Sequence, residues 1–374
     1  MHILVTVNAA WNIVNFRRAL IEHLIQSGHS VTVLAPPDDS VEQIRALGCR
    51  FLPLGMSAEG MNPMGGLKMI MVFRKLFRRE KPDIVLSYTI KNNIFGAIAA
   101  RHCGVPFVPN VTGLGTAFLS GSLLEKVAER LYRHAFSALP TVFFQNRDDR
   151  ELFVQRGLIR KSQAELLPGS GIDLQRFTAA PYPADTDAPV FLMIARLLRD
   201  KGAMEYVEAA RLLRQSHPGA RFQMLGPVGA ENRTAIGQDT VDGWVNEGII
   251  EYLGTTSDVR PFIAAAHCVV LPSYREGAPR TLIEAAAMAR PLIATDVPGC
   301  REVVEAGQTG LLCDVRSGSS LARVCKLFLD MPHAEQAAMG QAGRAKMTAE
   351  YDQSLVISAY CEVIKRVSHA ADFS

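Results

Sequence analysis

The chain has 374 residues, 48% hydrophobic and 21% charged, enough apolar material for more than one packed core. Without long polar or low-complexity runs it is not a disordered chain, and a net charge of +3 is too small to argue for nucleic acid. No apolar run approaches the ~18 residues that a membrane-spanning helix needs, so any membrane contact is expected to be peripheral.

The chain opens as a strand at Ile3–Val7 with no leader before it, which points to a cytoplasmic protein. The seven cysteines include no C-x-x-C pair and their number is odd, favouring reduced, mostly buried thiols. Short apolar β-branched runs follow at Val31–Ala35, Phe51–Leu54, Ile84–Ser87, Phe107–Val111 and Val142–Gln145, with helical periods between them at Val14–Ser27 and Asn92–Cys103. Continuous apolar strands alternating with helices predict a parallel sheet covered on both faces. Within this half, Met69, Val72, Phe73, Leu76 and Phe77 share one helical face, while Lys68, Arg74, Lys75, Arg78 and Arg79 lie mostly away from it. The apolar face is expected to pack on the sheet, and the basic face of 68–81 is a candidate surface for anionic lipid. Residues 1–178 carry an excess of Lys and Arg, and the remainder an excess of Asp and Glu. A basic first half suits an anionic partner such as a phosphate or a membrane surface.

The pattern pauses at the Pro/Ala/Asp stretch 179–189, the best linker candidate. It restarts with strands at Val190–Ala195, Arg221–Leu225, Ile249–Leu253, Val269–Pro272, Leu292–Thr295 and Leu311–Cys313, with a helix at Ala203–Gln215. The division is therefore 1–178, linker 179–189, and 190–352, with a final helix near 353–368 that packs back on the first part. Two doubly wound α/β domains of Rossmann-like type, facing each other across a cleft, are the expected fold class. Ligands of such sheets sit beyond the carboxyl ends of the strands.

Two segments of the second half carry chemistry. Arg196 follows its first strand, and Lys201 precedes Gly202, which opens a helix. A guanidinium fork and an ammonium point charge together suit a diphosphate. The segment from Ser273 to Glu284 follows another strand, with Pro279 placed like a first-turn proline and Arg280–Arg290 reading as a helix. Amides near Gly277, Ala278 and Arg280, together with the helix dipole, make an anion site. Glu284, one turn inside and leaning back toward the N-terminus, is placed to accept from ribose hydroxyls. Glu276, before the loop, faces another part of the ligand, the sugar.

The Glu-x7-Glu of Glu276–Glu284 after the Arg-x4-Lys of Arg196–Lys201 resembles family 4 of the retaining glycosyltransferases, whose fold is GT-B. The phrases Ile250–Gly254, Asp296–Glu302 and Gly307–Leu312 are also similar to that family, so the resemblance spans nearly the whole second half. It implies a nucleoside-diphosphate sugar donor, retention at the anomeric carbon, and no requirement for a metal or other cofactor. Arg196, Lys201 and Glu276 would be the catalytic set, and Gly277, Ala278, Pro279, Arg280, Glu284 and Tyr252 would bind the donor. In the first half, Val7–Asn12, Tyr88–Asn93 and Asn110–Thr116 resemble the subgroup that assembles capsule, O-antigen and N-glycan. That subgroup implies a saccharide on undecaprenyl diphosphate as acceptor, met by Asn8, Lys91, Thr112, Gly113 and Gly115, at the inner face of the cell membrane. A nucleotide-sugar epimerase of the same architecture and a non-catalytic partner in polysaccharide assembly are the competing classes.

Overall fold

A computed structural model describes residues 1–55, 63–114, 123–229, 232 and 234–372. The chain forms two compact units, Met1–Gly171 with Gln353–Ser374, and Ile172–Asp352.

The first unit is built on β1 (His2–Thr6), β2 (Ser30–Ala35), β3 (Arg50–Pro53), β4 (Ile84–Tyr88), β5 (Phe107–Val111), β6 (Val142–Phe144) and β7 (Ala164–Leu166). All pairs are parallel, in the order β3-β2-β1-β4-β5-β6-β7. Successive side chains of a strand point to opposite faces, so an unbroken apolar strand fills two cores at once. Ile3 and Val5 pack on one face with Leu24 and Ile21, and with Val356, Tyr360 and Ile364 of the C-terminal helix Gln353–Asp372. Leu4 and Val85 pack on the other face with Ile94 and with Phe73 and Phe77 of the helix Pro63–Glu80.

The second unit repeats the plan with β8 (Val190–Ile194), β9 (Arg221–Leu225), β10 (Glu251–Tyr252), β11 (Cys268–Leu271), β12 (Leu292–Thr295) and β13 (Gly310–Cys313). Their parallel order is β10-β9-β8-β11-β12-β13. Phe191 and Met193 fill one core with Tyr206 and Phe222, and Leu192 fills the other with Ile283 and Ala286.

Four expectations need correction. The chain passes between units at Gly171/Ile172 and Asp352/Gln353, not within 179–189. That stretch is bound to the second unit: the fully buried Arg290 donates to the carbonyls of Ala180 (3.2 Å) and Pro181 (2.7 Å), and the Tyr182 hydroxyl donates to His267 O. The helix read as Val14–Ser27 is two, Trp11–Phe16 and Arg18–Gln26. Arg17 leaves helical geometry at φ −130°, ψ 2°, although its amide still reaches Ile13 O and its carbonyl still accepts from Ile21. The helix after Pro279 ends at Ala287, because Ala289 turns left-handed (φ 58°) and Arg290, the residue before Pro291, is disfavoured in the helical region. Pro279 itself is the extended N-cap (φ −72°, ψ 104°), not the first helical residue. The strand β7 was not expected: it is a three-residue edge strand with Glu165 at its centre, too short to show an alternating pattern.

Candidate functional site

In each sheet the strand order reverses once, between β1 and β4 and between β8 and β11. Chains leaving the two strands on either side of such a point run in opposite directions and open a crevice at the carboxyl edge.

At the β8/β11 crevice, backbone segments are brought together by glycine. Gly202, left-handed at φ 76°, starts the helix Ala203–Leu213, and a Cβ there would lie 2.0 Å from Pro272 O, just past β11. Gly226, after β9, abuts the carbonyl of Ala195, which a Cβ would approach to 1.9 Å. Gly299 (φ 82°) abuts the carbonyls of Gly277 and Glu276 at 2.5 and 2.6 Å on the same measure. Only a residue without a Cβ permits these approaches. They bring the Arg196–Lys201 loop, Tyr274 (whose amide donates to Asp200 O, 2.9 Å) and the Glu276 loop to one place.

Lys201 Nζ meets Glu276 Oε1 at 2.5 Å, both side chains partly buried. Arg196 is exposed and has no hydrogen bond or ion pair with any described residue, so its fork is available to a ligand. Pro279 O accepts from Leu282 and Ile283, and the amides of Arg280 and Thr281 precede the first helical carbonyl that they could use. Thr281 Oγ1 donates to Ile194 O (2.9 Å), fixing this helix against the end of β8. Glu284 accepts from Arg280 Nε at 2.8 Å. Burial raises its pKa above the usual carboxylate range, and the Arg280 and Arg176 charges offset part of that rise. Tyr252 is held by a bond from its hydroxyl to Gly226 O (3.0 Å). Tyr274 donates to Glu205 Oε1 (2.7 Å) beneath the Arg316 guanidinium, which is 4.7 Å from its ring centroid. Burial and Glu205 push the Tyr274 phenol up to about 12, so it stays a donor at neutral pH.

The structure thus gathers Arg196, Lys201, Glu276, Gly277, Ala278, Pro279, Arg280, Glu284 and Tyr252 around the carboxyl edge of the second sheet. Two cations, the start of a helix and two carboxylates can neutralise a diphosphate and bind hydroxyl groups on either side of it. Gly226, Gly299, Thr281 and Tyr274 were not singled out for these roles. A glycine directly after an apolar strand was the available signal for Gly226, whereas nothing local marks Thr281.

In the first unit, β1, β4 and β5 are neighbours, so Asn8, Thr112 and Gly113 on loops, and Lys91 in the first turn of the helix Ile90–Cys103, lie along one carboxyl edge. Asn8 is exposed and accepts from Asn12 Nδ2 (2.6 Å), and Gly113 has φ 148°. Gly115 lies outside the described residues. Sequence reasoning missed the buried amides behind this edge. Asn92 donates to Thr6 Oγ1 (2.9 Å), Asn93 to Asn110 O (2.8 Å), and Asn110 to the Tyr360 hydroxyl (3.1 Å). These bonds tie the ends of β1 and β5 to the helix Ile90–Cys103 and to the C-terminal helix. Among the described residues no three His, Cys, Asp or Glu side chains are grouped as metal ligands.

Residues 13–170 match the glycosyl transferase 4-like domain, and residues 175–346 match the glycosyl transferases group 1. The chain is 27% identical to N,N'-diacetylbacillosaminyl-diphospho-undecaprenol alpha-1,3-N-acetylgalactosaminyltransferase of Campylobacter jejuni, over 96% of this chain and 97% of that one. It is also 27% identical to UDP-Gal:alpha-D-GlcNAc-diphosphoundecaprenol alpha-1,3-galactosyltransferase of Escherichia coli, over 67% of each. In three dimensions it is similar to HepE of Anabaena, solved in complex with UDP, with a TM-score of 0.77 at 17% identity over 98% of this chain and all of the other. The sucrose-phosphate synthase of Thermosynechococcus elongatus aligns with a TM-score of 0.81 at 19% identity, covering 99% of this chain and all of that one.

Proposed function

This chain belongs to family 4 of the glycosyltransferases and has their GT-B fold, and on that premise we propose a retaining enzyme that moves a sugar from a UDP-sugar to an undecaprenyl-diphosphate-linked saccharide. The sugar in this reading is an N-acetylhexosamine or related hexose, and the product serves surface polysaccharide or glycan assembly. The observation that carries the donor half is the Lys201–Glu276 ion pair beside the unengaged Arg196 at the β8/β11 crevice. The acceptor half is supported by the Campylobacter and Escherichia coli relatives, which both act on diphospho-undecaprenol saccharides.

In this mechanism the incoming diphosphate draws Lys201 away from Glu276 and takes Arg196 as a bidentate partner. Glu276, released, accepts from a hydroxyl of the donor sugar, and Glu284 accepts from the ribose. The bond from the anomeric carbon to the β-phosphate oxygen breaks, and the electron pair leaves with the diphosphate. Its growing negative charge is met by Arg196, Lys201 and the amides at the start of the helix after Pro279. The acceptor hydroxyl attacks from the face that the phosphate leaves, and its proton passes to a phosphate oxygen. The cations supply the charge stabilisation, so the scheme requires no metal.

The polyprenyl acceptor places this reading at the inner face of the cell membrane. Among the described residues no helix is long and apolar enough to cross a membrane. The helix Pro63–Glu80 supports peripheral contact more strongly than its basic residues alone. Met64 (81% exposed), Leu67 (60%) and Met71 (54%) share its outer face with Lys68, Lys75 and Arg78, a mixture suited to anionic lipid. Arg74 does not belong to that face, since it is half-buried beside Cys103.

A thermal-shift screen of nucleotide-sugars, followed by transfer to diphospho-undecaprenol saccharides, tests the reading. Stabilisation by UDP-sugars and transfer with retained anomeric configuration is the expected result. Turnover of a nucleotide-sugar to an isomer without any acceptor would replace it with the epimerase reading.

A further inference from the structure

Arg17 sits at the break between the helices Trp11–Phe16 and Arg18–Gln26, on the chain that leaves β1. Its residue is only 6% exposed. Its guanidinium lies 4.2 Å from the centroid of the Tyr88 ring, at the end of β4, and donates from Nη1 to Phe16 O at 3.2 Å. No carboxylate of a described residue forms an ion pair with it. Asp38, the acid that holds the loop after β1, accepts instead from the amides of Trp11 and Ser40.

The molecule supplies its own comparison. Arg290, fully buried, donates from Nε and both Nη atoms to six carbonyls, and Arg344 donates to three. Those are structural arginines with their donors occupied, as a buried charge ordinarily requires. Arg17 is nearly as buried as a residue, faces one aromatic ring and one carbonyl, and none of its nitrogens is both buried and without a partner, so its remaining N–H donors open to the crevice.

The surroundings of Tyr88 are also donors. Thr89, the next residue, is held at φ 72°, ψ 151°, and its Oγ1 is buried with no hydrogen-bond partner. It precedes the 14-residue helix Ile90–Cys103, whose first internal amide bond is Asn93 N to Thr89 O, and whose first turn carries Lys91. An unbalanced guanidinium, an orphaned hydroxyl and the positive end of a helix therefore meet at the β1/β4 crevice of the first sheet.

From this we infer that Arg17 is an anion-binding residue, and that the β1/β4 crevice takes the diphosphate of the polyprenyl-diphosphate acceptor. The inference rests on the acceptor class proposed above, and adds the residue that recognises the phosphate rather than the saccharide. Lys91 contributes a second charge to the same anion. Arg17 acts on binding and does not touch the anomeric carbon.

Farnesyl diphosphate, titrated into the whole protein with UDP at saturation so that the donor crevice is filled, is the probe. Arg17→Met should weaken its binding about tenfold or more, the worth of one charge-assisted hydrogen bond, and Arg17→Lys should fall between. UDP affinity should be the same in all three proteins. The melting temperature of Arg17→Met should stay level, because the Arg17 guanidinium forms no ion pair with a described residue whose loss would destabilise the fold. The inference is overturned by unchanged farnesyl diphosphate binding, by UDP affinity that falls in step, or by a marked drop in melting temperature. It is equally overturned if phosphatidylglycerol vesicles, and not farnesyl diphosphate, bind in an Arg17-dependent way, since the phosphate would then be a headgroup. If Arg17-dependent farnesyl diphosphate binding stands while no diphosphate-linked saccharide is glycosylated, the anion site survives and the proposed acceptor falls.

Discussion

The two crevices of this chain occupy equivalent places in their sheets and are built by opposite means. At β8/β11 much of the shape is set by main chain: Gly202, Gly226 and Gly299 let carbonyls and loops touch, and the polar side chains range from the exposed Arg196 to the largely buried Glu284. At β1/β4 no glycine follows β1, and polar side chains are buried instead. Arg17, Asn92, Asn93 and Asn110 are all under a tenth exposed. A diphosphate held against backbone amides can be matched at close range by a rigid surface. A ligand met by buried amides and a guanidinium is read by side chains, which another sequence can exchange without disturbing the sheet. Under the proposed reaction the second unit would hold the donor diphosphate and the first the acceptor.

The largest effect should come from the two cations of the second unit. Arg196→Ala and Lys201→Ala are each expected to lower kcat/KM by about 10²–10³, as loss of one group stabilising the leaving charge does. Both variants should keep the wild-type melting temperature, because Arg196 is exposed and Lys201 only partly buried. Near-normal transfer by Arg196→Ala, measured with saturating acceptor, would break the donor half of the comparison. Next, Gly202→Ala should destabilise the protein by at least about 2 kcal/mol in urea unfolding. A left-handed position and an overlap with Pro272 O make the backbone itself move. Asn8→Ala, on the exposed loop of the other crevice, should stay within about 0.5 kcal/mol of wild type and alter only the KM for acceptor.

Glu284 offers a test with opposite signs. Its folded pKa is raised, chiefly by burial, so its contribution to stability is complete below the unfolded value of about 4.3. That contribution is lost as pH rises through the higher folded pKa. The unliganded protein should therefore gain stability relative to Glu284→Gln as the pH is lowered through that window. UDP affinity should do the reverse and weaken as the carboxylate protonates, since a neutral acid is a poorer acceptor for ribose hydroxyls. Glu284→Gln should show neither slope when both are followed by thermal shift. The smallest effect belongs to the outer face of Pro63–Glu80. Lys75→Gln should weaken binding to phosphatidylglycerol vesicles by about 1 kcal/mol, roughly fivefold, and leave transfer to a short, water-soluble acceptor unchanged. Equal loss on both acceptors would return Lys75 to an ordinary surface role.

Much of this was legible in one dimension. Apolar runs at Ile3–Val7 and Val190–Ala195 mark strands buried on both faces, because a parallel sheet covered by helices leaves no polar alternation. Arg196, Lys201, Glu276 and Glu284 could be named because each sits within a few residues of a strand end or helix start, and those local positions determine where a side chain emerges. The edge strand β7 was not legible, being three residues long with Glu165 at its centre. The true junction at Gly171/Ile172 was hidden because the polar stretch after it looks like a linker until Arg290, more than a hundred residues away, collects its carbonyls.

What the chain determined by itself is therefore the alternation of strands and helices and the identity of the residues that follow them. Only the tertiary structure decided which strand ends become neighbours, and so which residues share a crevice. Lys201 and Glu276 are 75 positions apart and meet at 2.5 Å because β8 and β11 pair across the reversal of the sheet. Arg17 and Tyr88 meet for the same reason at β1 and β4. Side-chain chemistry is a property of residues, but a binding site is a property of distances, and strand order sets those distances.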